Sequence, residues 1–251
     1  MSAELLLEAR SLRIEAPGRT LVHDASFGVR AGELVALVGH SGSGKSVTAR
    51  ALLGLLPFFP GRVAGEVWVD GQPCKTEADF ARVRGARVAL VPQDGRGGLD
   101  PLWRVGRTIR EAARLAGVDE DPLPWLEAAG FSTPGPVATC FPHELSGGMA
   151  QRAAIAAALA RKSAVLIADE CTSGLDVSVQ RTVLQRLRKL ADDGGGVLLI
   201  THDLRLLPGF ADRIVVMDEG RTVEEAPRLE ALVGAGRVLV EATRQIAGGR
   251  W

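Results

Sequence analysis

Gly39-His40-Ser41-Gly42-Ser43-Gly44-Lys45-Ser46 fits the pattern G-x-x-x-x-G-K-[ST]. It follows the apolar run Leu34–Val38 and precedes a helical pattern over residues 47–56. A strand, a glycine-rich loop and a helix in that order form a phosphate cradle. The glycines let backbone N–H groups converge on phosphate oxygens without Cβ clashes. The helix N-terminus adds a favourable dipole. Lys45 is expected to reach the β- and γ-phosphates, and the Ser46 hydroxyl to ligate Mg²⁺.

A second acidic site follows. Val165-Leu166-Ile167-Ala168 is an apolar strand pattern that ends in Asp169-Glu170. In open α/β sheets, ligands sit at the carboxyl ends of such strands, where the cradle also lies. Asp169 suits Mg²⁺, held through water, and Glu170 suits a general base for the attacking water. The alternative is an acidic strand cap facing solvent.

These residues need a scaffold. Short apolar runs at Leu34–Val38, Val88–Val91, 165–168, 197–200 and 214–217 read as strands buried on both faces. Helical patterns alternate with them, which predicts an α/β core with a mostly parallel sheet. Alternating segments around 5–14, 25–29 and 66–69 predict an antiparallel β subdomain beside it. Five of the 13 prolines fall between Pro122 and Pro142. Proline limits helix length, so residues 94–150 are expected to form an inserted α-helical subdomain with irregular joints. The spacing over 180–190 predicts a helix that ends at Asp192-Asp193-Gly194. The expected organisation is one domain over 1–251. Its nucleotide-binding core and β subdomain span about 1–93 and 151–222, and a tail spans 223–251.

Composition narrows the function. Apolar residues make up 46 % and charged residues 24 % of 251, ordinary for a folded domain. Lys plus Arg equals Asp plus Glu, 30 against 30, so no bulk basic field points to nucleic acid. The longest apolar run, Ala153 to Ala160, is far shorter than the ~20 residues of a membrane span. The N-terminus lacks a basic segment of the signal-peptide kind. The three cysteines form no Cys-x-x-Cys pair, so a reducing compartment is the simplest expectation.

Leu145-Ser146-Gly147-Gly148-Met149, followed by Gln151-Arg152 and an Ala-rich run, resembles the signature motif of ABC ATPases. Gln93 after Val88–Val91 matches the Q-loop glutamine, Ser173-Gly174-Leu175-Asp176 the D-loop, and Thr201-His202-Asp203 the switch histidine. The resemblance covers about residues 5–225. It implies ATP with Mg²⁺, bound by Gly39 to Ser46, with Ser46, Gln93 and Asp169 around the metal. It implies Glu170, His202 and Gln93 as catalytic residues. It also implies that two ATPase subunits, identical or related, close head to tail. Each ATP then lies between one subunit's P-loop and the other's signature, Leu145 to Met149, with Asp176 in the D-loop.

Phe141-Pro142-His143-Glu144 before the signature, Gly98-Leu99-Asp100-Pro101-Leu102, and Leu175-Asp176-Val177-Ser178-Val179-Gln180 resemble the branch that imports oligopeptides, nickel and metal–opine chelates. The chain ends with no cysteine after Cys171, and in that it is most similar to the short nickel-importer ATPases. The branch implies two transmembrane permease subunits and, indirectly, an extracytoplasmic solute-binding protein. It places the subunit at the cytoplasmic face of the membrane, with no nucleic-acid partner. The alternative is an accessory ATPase of a soluble complex such as phosphonate-degrading machinery. The four histidines show no ligand spacing and give no evidence for nickel.

Three departures from the family pattern stand out. No aromatic residue lies between Met1 and Phe27, where many members stack one on adenine, so Ile14 or a neighbour is expected to offer apolar contact only. Met149 replaces the usual glutamine. Cys171 replaces the usual proline, as a small buried thiol or as a redox-sensitive neighbour of Glu170.

Overall fold

The computed structural model describes residues 4–56 and 61–246. Its strands are Leu5–Ala16 (β1), Arg19–Arg30 (β2), Leu34–Val38 (β3), Arg62–Val69 (β4), Gln72–Cys74 (β5), Val88–Val91 (β6), Val165–Asp169 (β7), Gly196–Ile200 (β8), Arg213–Asp218 (β9) and Arg221–Ala226 (β10). Its α-helices are Lys45–Ala51 (α1), Glu77–Val83 (α2), Val105–Ala116 (α3), Leu123–Ala128 (α4), Pro134–Thr139 (α5), Gly147–Ala160 (α6), Val177–Asp192 (α7) and Gly234–Ile246 (α8).

The strands form one mixed sheet in the order β5-β4-β1-β2-β10-β9-β3-β8-β7-β6. β9, β3, β8, β7 and β6 pair in parallel, as their apolar runs require. β1, β2, β4 and β5 pair antiparallel. A single parallel pair, Arg221 with Asp24, joins the two halves through β10. The expected fold class, a P-loop core with an antiparallel β element and added helices, is therefore the observed one.

The parallel strands divide their side chains by period two. On β3, Leu34, Ala36 and Val38 enter one core, and Val35 and Leu37 enter the other. All five are buried. The first core packs against α3, α6 and α7, and the second against α1 and the antiparallel strands. The sheet is therefore covered on both faces, and its carboxyl edge is left free for the site.

Two helices differ from their expected bounds. The helix after the glycine loop is Lys45–Ala51 and not 47–56. It starts at once because Gly44, at φ +103°, turns the chain into it. It ends early because Leu53 and Gly54 donate to Arg50 and Ala51 in tight turns, with Gly54 left-handed. The helix expected over 180–190 starts at Val177, directly after Asp176 at the N-cap position. The tail expected over 223–251 contains the end of β10 and the helix α8, which buries Leu239 and Val240 against the first core. Arg250 and Trp251 lie outside the described residues.

Gly39 joins β3 to the loop with no room for a side chain. A Cβ built there would lie 2.0 Å from the Met217 carbonyl oxygen on β9. Gly39→Ala is expected to destabilise the fold by about 1–3 kcal/mol through overpacking. The thermal midpoint of the variant checks this, and a drop of several degrees is expected.

Candidate active site

One cavity of about 570 Å³ opens at the carboxyl edge of the parallel strands. Ser41, Gly42, Gly44, Lys45 and Ser46 line one side, and Gln93, Glu170 and His202 another. The site is thus assembled from the ends of β3, β6, β7 and β8. These lie far apart in sequence and side by side in the sheet.

Lys45 is buried, and its ammonium donates to the carbonyls of Gly39 at 2.9 Å and His40 at 2.8 Å and to Ser43 Oγ at 3.2 Å. Burial lowers its pKa, while Glu170 and Asp169 act to raise it. The loop therefore holds a cation without an adjacent counter-ion in hydrogen-bond contact, a strong attractor for phosphate.

Ser46 Oγ donates to Asp169 Oδ1 at 2.9 Å. Asp169 is buried, and burial raises its pKa. The Ser46 hydrogen bond opposes that rise, and the Glu170 charge adds to it. A hydroxyl and a carboxylate at hydrogen-bond distance form a hard oxygen pair of the kind Mg²⁺ takes, so these residues fit the metal.

Glu170 is the centre of the second group. Gln93 Nε2 donates to its Oε2 at 3.0 Å, and His202 Nδ1 lies 3.3 Å from its Oε1. Gln93 thus holds one carboxylate oxygen by a hydrogen bond, and the His202 ring stands beside the other. The backbone of Glu170 sits in the left-handed region at φ +46°, unusual for a residue with a side chain. Its N–H donates to the Ile200 carbonyl at 2.9 Å, and its carbonyl accepts from Ser173 N–H. These two bonds hold a strained turn that aims the carboxylate into the cavity, the usual place for such strain.

Cys171 follows immediately and is fully buried. Burial pushes its thiol up to about 12. The thiol stays protonated at neutral pH and lacks the thiolate character that redox chemistry requires. It is a packing residue in the first core.

The signature residues Leu145, Ser146, Gly147, Gly148 and Met149 do not line this cavity. Ser146 is the N-cap of α6, and its Oγ accepts from Met149 N–H at 3.3 Å. Ser146 and Gly147 are exposed, and a Cβ on Gly147 would meet no atom within 4 Å. Met149 packs its side chain on the first core, so the cap needs only its backbone. The D-loop touches this helix start, since a Cβ on Gly148 would lie 3.3 Å from Leu175 Cδ2. Asp176 stands at the N-cap of α7, and Gln180 on that helix donates to the Thr172 carbonyl at 3.0 Å.

Two further ties link these parts. Gln151 on α6 donates to the Pro92 carbonyl at 3.1 Å, and Arg96 donates to the Leu145 carbonyl at 2.6 Å. The segment carrying Gln93 is therefore bonded to the signature helix. No local pattern predicts either contact, because they join residues 59 and 49 positions apart. Ile14 is not at the site; it is fully buried in the second core. Arg19 and Leu21 line the cavity instead.

A family model described as ABC transporter matches residues 22–173. The chain belongs to that family. Among curated ABC relatives, the oligopeptide transport ATP-binding protein OppD of Mycobacterium tuberculosis is 42 % identical over 228 residues. That match covers 87 % of this chain and 37 % of OppD, so the chain spans little more than a third of that relative's length. The nickel import ATP-binding protein NikD of Brucella suis is 38 % identical over 247 residues, covering 94 % of this chain and 92 % of NikD. A solved dimer of the ATP-binding cassette MJ0796 with ADP and Pi aligns with a TM-score of 0.77 at 25 % identity. It covers 88 % of this chain and 98 % of that cassette. These relatives fall in the oligopeptide and nickel importer branch that the motifs around the signature resemble.

Proposed function

We propose that this chain binds ATP with Mg²⁺ and hydrolyses it to energise an importer for nickel, metal chelates or peptides. The observation that carries this reading is the single cavity that joins Lys45, Ser46, Gln93, Glu170 and His202. Gly39 to Ser46 wrap the phosphates, and Lys45 exchanges its loop carbonyls for β- and γ-phosphate oxygens. Ser46 and Asp169, with Gln93 nearby, would hold Mg²⁺, which would supply positive charge against the phosphates. Glu170 takes the proton from the water that attacks the γ-phosphorus, while the bond from that phosphorus to the β,γ-bridging oxygen breaks and ADP leaves with the electron pair. Gln93 and His202 keep the carboxylate aimed while it does so.

The second half of the site comes from another ATPase subunit, identical or related. The exposed start of α6, outside the cavity, supports this. Ser146 and the N–H groups of Gly147 and Gly148 then meet the γ-phosphate held by the partner. The dimeric cassette similar to this chain also supports it. Asp176 and the D-loop, in contact with α6, tie the two sites together. The hydrogen bonds from Gln151 and Arg96 carry movement of Gln93 to the signature.

Residues 94–150 form the moving helical subdomain against a core of about 1–93 and 151–222. A groove of about 440 Å³ separates the two, with Leu55, Trp103 and Leu115 on its walls. Leu55 is 42 % and Leu115 66 % exposed. An open apolar groove suits a helix of a permease subunit, and two such permeases complete the transporter, with a solute-binding protein outside. No helix among the described residues is long and apolar enough to cross a membrane. In this reading the chain docks on those subunits at the cytoplasmic face. The relatives named for peptide and nickel import favour transport over an accessory role in a soluble complex.

Lys45→Ala tests the cavity directly. The variant is expected to lose ATP binding by calorimetry, because phosphate loses its main cation. Unchanged affinity would refute the assignment. For the unaltered chain, the lowered pKa of Lys45 gives a direction. ATP affinity should fall as rising pH removes that proton, at a lower pH than for an ordinary lysine.

A further inference from the structure

We infer that a second cavity, at the amino ends of β7 and β8, binds a small aromatic acid, with the ring system on Trp125 and Leu190 and the acid group at Lys162 and Arg186. The inference is independent of the nucleotide reading, because the two cavities share no residue.

The cavity has a volume of about 490 Å³, within the range of small-molecule sites. Ala164 precedes β7 and Gly195 precedes β8, and both line it. It therefore opens at the edge of the sheet opposite the nucleotide cavity. Trp125 and Ala128 come from α4, and Arg186, Lys189 and Leu190 from α7. An occupant touches both helices at once.

Two helix ends fix its walls. After α7 the chain makes a Schellman turn. Gly194, left-handed at φ +97°, donates to the Ala191 carbonyl at 2.8 Å, and Gly195 donates to the Leu190 carbonyl at 3.1 Å. A Cβ on Gly195 would lie 2.6 Å from Leu190 Cδ2, so glycine lets the turn close on that side chain. After α6 the turn is made at Lys162, left-handed at φ +47° although it carries a side chain. Its N–H donates to the Leu159 carbonyl at 3.1 Å, and Ser163 Oγ donates to the Gly85 carbonyl at 2.7 Å. The carbonyls of Leu159, Leu190 and Ala191 are engaged by these turns, so the negative helix ends compete less for nearby cations.

The lining combines an apolar floor with a surplus of positive charge. Trp125 and Leu190 are partly buried against the first core and leave the rest of their surface to the cavity. The charged residues of the lining are Lys162, Arg186, Lys189 and Asp193. Lys189 and Asp193 neutralise each other at 3.1 Å. The adjacent Asp192 is engaged by Arg188 at 2.9 Å. Two cations are left over. The Lys162 ammonium stands 6.0 Å from the centre of the Trp125 ring. Arg186 is exposed and has no hydrogen bond or ion pair among the described residues. A guanidinium without a partner takes a carboxylate by two parallel hydrogen bonds. An indole face takes a flat ring by offset stacking. An aromatic acid supplies both parts.

Calorimetric titration of the full chain with naphthoate tests the site. Naphthamide keeps the ring without the charge, and acetate keeps the acid without the ring. Naphthoate should bind with a Kd below about 1 mM, as a well-seated ligand of its size does. Naphthamide should bind about 5–20-fold more weakly, and acetate should not bind. Arg186→Gln alters an exposed side chain with no partner, so the fold is kept. It should weaken naphthoate by about 3–10-fold, between an exposed ion pair and a bidentate one, and leave naphthamide unchanged. Ala128→Phe fills the cavity and should remove binding of both ring compounds. Saturating ADP with Mg²⁺ should leave naphthoate binding unchanged. No binding of naphthoate, or equal binding of naphthoate and naphthamide, would overturn the inference. So would Arg186→Gln or Ala128→Phe variants that bind naphthoate normally. Displacement by ADP would place the probe in the phosphate loop and overturn it too.

Discussion

Glu170→Gln is expected to keep ATP binding and to lower turnover by about 10²–10⁴-fold, the contribution of a positioned general base. The change is nearly isosteric. The amide oxygen still accepts from Gln93 in the place of Oε2, so the cavity keeps its shape. The lost property is proton uptake from water. The left-handed backbone at Glu170 is retained, because its bonds to Ile200 and Ser173 are made by the main chain. Phosphate release by the assembled transporter and calorimetric ATP affinity are the two readings. Turnover near that of the unaltered protein would remove Glu170 from the role of base.

The second large effect is expected at Ser146→Arg. Ser146 lies outside the P-loop cavity, so the variant should bind ATP normally. An arginine there projects into the space where a partner's ATP must dock, and phosphate release by the assembled pair should fall by about 10²–10³-fold, as when an oriented phosphate donor is lost. The variant also loses the N-cap hydrogen bond to Met149, worth about 0.5–2 kcal/mol. Ser146→Ala separates the two effects, since it loses the same cap without blocking the approach. Its activity should stay well above that of the arginine variant. Normal phosphate release by Ser146→Arg would refute a site shared between two subunits.

The scaffold was legible where burial acts on both faces of a strand. β3, β6, β7 and β8 are apolar runs with no polar alternation, and only a covered parallel strand explains that pattern. The phosphate loop was legible because its glycines and Lys45-Ser46 have to follow a strand and open a helix. Gln93, Glu170 and His202 were legible as single residues at strand ends. Their meeting at Glu170 depends on strand order, which no local spacing encodes. The cavity wall formed by Arg19 and Leu21 was illegible for a related reason. Shifts in the β1–β2 register between Ala9 and Leu12, and again before and after Ile14, decide which side chains face inward. They turn Ile14 into the core and leave Arg19 and Leu21 at the cavity. A one-residue change of register reverses such an assignment. The short β5 and α2 left no periodic signal, being only three and seven residues long.

The most direct measurement is affinity capture of the tagged chain from detergent-solubilised membranes of its source cell, with mass spectrometry and ATP turnover of the captured complex. The account predicts two polytopic membrane proteins, an ATPase partner or a second copy of this chain, and turnover that Glu170→Gln lowers by about 10²–10⁴-fold. Capture of soluble enzymes alone would contradict an importer.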